Sequence, residues 1–249
     1  MTNLQRKGPR ALAIFTAILV LAVGQWRGIP LSAANLPPLQ AHPLPPGLAQ
    51  WQDTANSGDY FSEVKPTEVG YLVWSKFPIK VYIFMGEESP ANNSSSSKKW
   101  VEAVLQAVQE WSVYLPLEVV NQPDDAEITI LRSRPPLRPS LDPSTGQLQL
   151  PRVRSAETSY EFYIRKSLDA PTVLSHRFNI QISPNQAPIY TLPSARHELG
   201  HALGIWGHSP KETDALYFSQ VRNSPPISPR DINTLKRIYE QPTRLGWEL

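Results

Sequence analysis

His197-Glu198-Leu199-Gly200-His201-Ala202-Leu203-Gly204-Ile205-Trp206-Gly207-His208 places three of the chain's five histidines and one glutamate within twelve residues. On a helix, residues four apart share a face, so His197 and His201 can grip one ion from successive turns. Glu198 stands beside them. It is badly placed to share a histidine's coordination position but well placed to take a proton from a water on the ion, which is the pattern of a zinc hydrolase. Helical phase agrees: at about 100° per residue, His197 and His201 fall near 0° and about 40°, and Leu199 and Leu203 near about 200° and 240°. The apolar face, extended by Ala195 and Ala202, therefore lies opposite the imidazoles and can enter a core while they face a cleft. Gly204 ends the helix, since a glycine there can adopt the left-handed conformation that turns the chain back towards the ion.

These residues resemble the metzincin metalloproteases, matrixin-like branch, whose signature is His-Glu-x-x-His-x-x-Gly-x-x-His followed by a methionine-bearing turn beneath the metal. The first eight positions match, His197 to Gly204. At the third-ligand position stands Gly207, which has no side chain to ligate with, and the histidine follows one residue later as His208. Gly207 is read as a one-residue insertion whose freedom lets His208 reach the ion. Asp214-Ala215-Leu216-Tyr217 resembles the turn, with Leu216 in the methionine's place. Three readings of the third ligand compete: His208, which is preferred, Asp214, which is expected instead to bond backbone in its turn, or none with extra water. The resemblance implies one catalytic zinc held by His197, His201 and His208, with Glu198 as general base activating a zinc-bound water to hydrolyse peptide bonds. It implies an α/β fold: a twisted five-stranded mixed sheet, mostly parallel, with an active-site helix, a C-terminal helix and a cleft. An extended protein or peptide substrate would lie along the edge strand, with side-chain specificity from Phe218 to Ile227. The element order resembles the family over roughly residues 70–242, but its specific motifs lie only between His197 and Tyr217.

The rest of the chain supplies matching elements. Pro78 to Phe84 alternates apolar and polar and predicts a first strand; Leu117 to Val120, Glu127 to Leu131, Tyr160 to Arg165 and Phe178 to Ile182 predict four more. Trp100, Val101, Val104, Leu105, Val108, Trp111 and Leu115 recur at three and four after a serine-rich loop, predicting a helix whose tryptophans pack rather than form a carbohydrate platform. Ser228-Pro229-Arg230-Asp231 has a capping serine, a first-turn proline and an acid three residues on, so a helix follows, with Ile232, Leu235 and Ile238 as its stripe. His176, beside a strand, is expected to be a satisfied surface or core residue. The proline-rich loop Arg132 to Gly146 offers only Asp142 as a hard ligand, so no second zinc is expected there.

The 249 residues, 41% hydrophobic, suit one ordinary core. Residues 70–249 are read as the catalytic domain, residues 35–69 as a proline-rich linker or short pro-segment, with His42 solvated, and residues 1–34 as a signal peptide or N-terminal anchor. Arg6, Lys7 and Arg10 precede the apolar run Ala11 to Gly24, and Ser32, Ala33 and Ala34 follow, which reads as an export signal. The expected location is secreted or periplasmic, with membrane attachment only if the segment stays uncleaved. A net charge of +2 without a polybasic block gives no reason to expect nucleic acid or an anionic membrane as partner. The chain has no cysteine. It therefore has neither disulfides nor a cysteine switch on the zinc, and a monomer is expected. Two other classes of function remain open: a catalytically silent zinc-binding module that holds protein partners, and a structural exported domain with incidental histidines.

Overall fold

The structure is a computed structural model describing residues 36–84, 95–137, 139–142, 144–149, 153–166 and 170–249. The export segment expected at residues 1–34 lies outside them, as does Ser94 of the serine-rich stretch Ser94 to Ser97, whose other three residues are helical and not the expected loop. Among the described residues no helix is long and apolar enough to cross a membrane.

The chain is α/β, built on a mixed five-stranded sheet. Its strands are β1 (Ile79–Phe84), β2 (Leu117–Val120), β3 (Ile128–Leu131), β6 (Ala156–Arg165) and β7 (Val173–Ile182), in the order β2-β1-β3-β7-β6. β1 runs parallel to β2 and β3, and β3 parallel to β7. β6 and β7, consecutive in the sheet-forming chain, pair antiparallel from Ala156↔Ile182 to Arg165↔Val173. Parallel neighbours need a crossover, which α2 (Ser95–Ser112) supplies between β1 and β2. Ile79, Val81, Ile128, Ile130, Leu174 and Ile180 are fully buried, so alternation along the strands fixes one face to the core.

β1, β2 and β3 begin within one residue of the sequence reading, whereas β6 and β7 each begin four or five residues earlier. The early half of β6 carries Glu157, Thr158 and Ser159, opposite Gln181, Ile180 and Asn179, and the early half of β7 carries Ser175, His176 and Arg177, opposite Tyr163, Phe162 and Glu161; both polar stretches read as loop in isolation. Cross-strand pairing supplies what propensity lacks, including Arg177 Nε to Glu161 Oε1 at 2.8 Å. A small hairpin, β4 (Ser140–Leu141) with β5 (Leu148–Gln149), occupies part of the expected loop. Asp142 Oδ1 accepts from the amides of Ser144 (2.8 Å) and Thr145 (3.2 Å), so this carboxylate shapes the turn.

α2 packs against α3 (Thr191–Ala202), and Trp100 and Trp111 are core residues as expected. Trp111 Nε1 donates to Arg196 O across that interface at 2.9 Å. α4 (Pro229–Tyr239) starts on a complete capping box: Asp231 N donates to Ser228 Oγ, and Ser228 N to Asp231 Oδ2. His176 is a core residue, its ring 4.0 Å from that of Trp74, but among the described residues its Nε2 has no hydrogen-bond partner, so the expected satisfaction is not found there. Burial, then the charge of Arg165, pushes its imidazole down to about 3 and keeps it neutral.

The N-terminal segment departs from the expected spacer. Proline removes donors and fixes φ, but it does not prevent the residues between prolines from packing. α1 (Pro46–Gln50) buries Leu48 completely, and Leu36 and Leu44 pack against the core. His42 is not solvated: its Nε2 pairs with Leu245 O at 2.8 Å and its ring stacks on Trp247. Residues 51–70 form a strap over α4, with Trp51 Nε1 donating to Asn233 Oδ1 and Tyr60 OH to Asp231 Oδ1 at 2.6 Å. We expect Leu48→Ala to lower stability by about 2–5 kcal/mol, the usual cost of emptying a buried leucine site. Denaturant unfolding checks this; a change below about 0.5 kcal/mol, the usual effect of surface substitutions, would make the segment a loose tail.

Candidate metal centre

α3 is held at its end by the core it helps to build. Ala195, Leu199, Ala202 and Leu203 are fully buried, on the side of the helix expected from the phase of the sequence. Trp74 Nε1 donates to Ala202 O at 2.9 Å and Tyr239 OH to Leu203 O at 3.1 Å, satisfying carbonyls that the helix itself leaves free. Gly204 then takes φ +129°, a conformation side chains disfavour, and the chain returns towards the helix.

That return brings His197, His201 and His208 together, their candidate ligand nitrogens all within 4.8 Å of one another. The His197 and His201 rings meet edge to face at 4.7 Å, and the exposed His208 ring lies 5.3 Å from the first and 4.8 Å from the second. Two carbonyls set the tautomers. His197 Nδ1–H donates to Ala215 O at 2.9 Å, and His201 Nδ1–H to Ile205 O at 2.7 Å. Each Nε2 then presents a lone pair, and the two Nε2 atoms face each other 3.1 Å apart. When both rings are neutral, the form that ligates a metal, their Nδ1 protons go to the carbonyls and no proton lies between the Nε2 atoms. Lone pairs held this close repel, and a cation between them removes the repulsion. Burial, then the charges of His197 and His208, holds His201 well below the usual histidine range; burial and His197 push His208 down to about 4. Both are therefore neutral near pH 7, the form in which imidazole ligates. The triad can hold a metal ion.

Glu198 is buried beside the triad and is not one of the converging donors. Its Oε2 accepts from Thr158 Oγ1 of β6 at 2.6 Å. Burial pushes the carboxyl up, against the opposing influence of His197 and the Thr158 hydrogen bond.

The turn after the triad is tied to it through backbone. Ala215, whose carbonyl fixes His197, is the residue before Leu216. Leu216 is fully buried, with its methyls beneath α3 at Gly200, where a Cβ would come within 2.6 Å of Leu216 Cδ2. We expect Leu216→Met to change stability by less than about 1.5 kcal/mol and leave metal affinity unaltered, because the swap conserves volume and the contact to His197 is made by backbone. Thermal melting and metal titration check it; a large shift in both would mean that the side chain at 216 orients the ligand.

Two expectations about this region need correcting. Gly207 is not in the left-handed region, so backbone freedom is not what the glycine supplies. A Cβ there would stand 2.3 Å from Glu63 O of the strap, so glycine is required by close approach. Asp214 bonds side chains rather than the backbone of its turn: Oδ2 accepts from Ser209 Oγ at 2.5 Å and Arg230 Nε at 3.0 Å, and Oδ1 from Ser228 Oγ at 2.9 Å. Ser209 N donates to Leu216 O at 2.8 Å, so the residue after His208 is pinned to the turn.

The triad and Glu198 open on a cleft of about 1600 Å³. Thr158, Tyr160 and Phe162 of β6 line the cleft, as do Phe218 to Val221 and, from the strap, Glu63 and Lys65 to Glu68. Arg196 holds the chain after Val221, with Nη1 donating to Pro225 O at 2.8 Å while Nε and Nη2 form a fork on Glu110. Sequence reasoning missed Thr158 and the strap residues. Neither has a local signal, since Thr158 lies forty residues before Glu198 and residues 63–68 contain no motif. No protein-family model matches the sequence, and no curated protein matches it.

Proposed function

We propose that the protein is a zinc-dependent endopeptidase of the matrixin-like metzincin kind, exported from the cytoplasm and cleaving proteins or peptides outside it. His197, His201 and His208 hold one zinc ion, and Glu198 is the general base. The facing pair of Nε2 atoms at 3.1 Å carries this reading. Tetrahedral donors about 2.0–2.1 Å from zinc are about 3.3–3.4 Å apart, so this pair fits with little movement. The widest gap in the triad, within 4.8 Å, closes by rotation of the exposed His208 side chain. An all-imidazole set suits zinc, whereas magnesium and calcium take oxygen.

Zinc bound there supplies Lewis acidity towards water and the carbonyl to be cleaved. Glu198 accepts a proton from the attacking water and returns it to the leaving amine, and a carboxyl pushed up by burial is suited to both steps. Among the described residues β6 is paired on one edge only, with β7, so an extended peptide can add to its other edge through backbone hydrogen bonds. Phe218 to Val221, across the cleft, supply side-chain contacts. The five-stranded mixed sheet, the fully buried Leu216 beneath α3 and the order of elements agree with the metzincin kind.

The test is zinc quantification on the purified full chain, with cleavage of a denatured protein followed with and without chelator. About one zinc per chain is expected, with cleavage lost on chelation and regained on adding zinc. Zinc without cleavage would leave a metal-binding module, and absence of zinc affinity would remove the reading.

A further inference from the structure

Glu198 is 8% exposed, and among the described residues its carboxylate has a single hydrogen-bond partner, Thr158. The Thr158 hydroxyl has one proton and two acceptors within reach, Glu198 Oε2 at 2.6 Å and Glu198 O at 3.1 Å. The closer, charged acceptor takes it. Thr158 approaches from a separate element, β6, which the sheet holds through its full-length pairing with β7. It pairs with Ile180 across the sheet, and on the same face of β6 Tyr160 packs edge to face on Trp206 at 4.8 Å. The sheet therefore sets where the carboxylate sits.

A carboxylate is a good zinc ligand, at about 2.0–2.2 Å, and Glu198 is adjacent in sequence to one histidine of the triad and three residues from another. It is badly placed to displace either histidine, but without a restraint it can swing onto the position that water would hold on the ion and be lost as a base. We infer that Thr158 is a positioning residue that holds Glu198 beside the metal and out of its coordination sphere. This rests on the zinc-endopeptidase reading above.

Valine at 158 keeps the β-branched shape and removes the hydroxyl, and serine restores a hydroxyl without the methyl. In the zinc-loaded full chain, Thr158→Val is expected to keep one zinc per chain and the parent KM. Its kcat should fall roughly 10- to 100-fold, the range for losing a hydrogen bond to a charged group. Thr158→Ser should recover most of it, and adding Thr158→Val to Glu198→Gln should lower turnover no further. A second readout does not need activity. With cobalt(II) in place of zinc, the visible absorption of Thr158→Val should weaken as the carboxylate joins the coordination sphere, while Thr158→Ser matches the parent.

A valine variant with the parent's kcat and cobalt spectrum overturns the inference and makes the bond a clamp between sheet and helix. If the parent binds metal but cleaves nothing, the endopeptidase reading fails while the cobalt comparison still decides whether Thr158 restrains the carboxylate. Should the valine variant not fold, Thr158→Ala against Thr158→Ser gives the same comparison.

Discussion

Glu198→Gln retains zinc and fold while turnover falls by roughly 10² to 10⁴, the usual loss on removing a positioned general base. Glutamine has the same shape, and its amide oxygen can still accept from the Thr158 hydroxyl now 2.6 Å from Oε2. It cannot take a proton from water. Removing a charge from a site only 8% exposed also relieves a desolvation cost, so the variant should melt no lower than the parent. Turnover, bound zinc and melting temperature together decide the matter. Cleavage at the parent rate would reject Glu198 as the base, and loss of zinc would make it a ligand.

The parts of the fold that follow from local period were legible in the sequence. His197, Leu199, His201 and Leu203 place ligands and core on opposite sides of α3 because a helix imposes that separation. Ser228 and Asp231 mark the start of α4 through a cap whose partners lie within one turn. The strands β1 and β3 alternate within their own few residues, and β2 is a short run with two β-branched valines. Illegible were the features set by partners distant in sequence. The first half of β6 is largely polar and becomes strand by pairing with the second half of β7, and the polar residues early in β7 do so by pairing with the second half of β6. The leucines among the prolines of residues 36–48 reveal their burial only once the core exists. Gly207 looks like a hinge until Glu63 O is seen against it, and Thr158 becomes part of the site only through a helix forty residues away.

Asp231 shows why the strap and the site are not separable. Fully buried, it accepts from Tyr60 OH at 2.6 Å, Ser228 N at 2.7 Å, Ala215 N at 2.9 Å and Leu216 N at 3.4 Å. One carboxylate thus joins the strap, the cap of α4 and the turn whose Ala215 carbonyl fixes the His197 tautomer. The outer partners of a metal-binding histidine set its orientation and basicity. By this route the strap supports His197, in addition to its close approach at Gly207 beside His208, and truncations that remove Tyr60 should be judged by metal affinity as well as stability.

His208→Ala weakens zinc binding by more than about 10²-fold and abolishes cleavage, whereas Asp214→Asn keeps zinc and activity and loses stability. Second-sphere partners are worth about 10- to 100-fold in affinity, and a ligand is worth more. His208 is the exposed member of the triad, free to rotate its Nε2 or Nδ1 inward, and its preceding Gly207 and following Ser209 are fixed to strap and turn. Asp214 has no such freedom. It is 1% exposed, and its oxygens are occupied by Ser209, Ser228 and Arg230. Recruiting it to a metal would break the buried pair with Arg230, and breaking such a pair costs about 3–5 kcal/mol. The same figure is the loss expected for Asp214→Asn, which removes the charge but leaves an oxygen to accept from Ser209. Zinc titration and denaturant unfolding of the two variants separate the roles. Zinc affinity that survives His208→Ala but is lost in Asp214→Asn would transfer the third ligand to the aspartate.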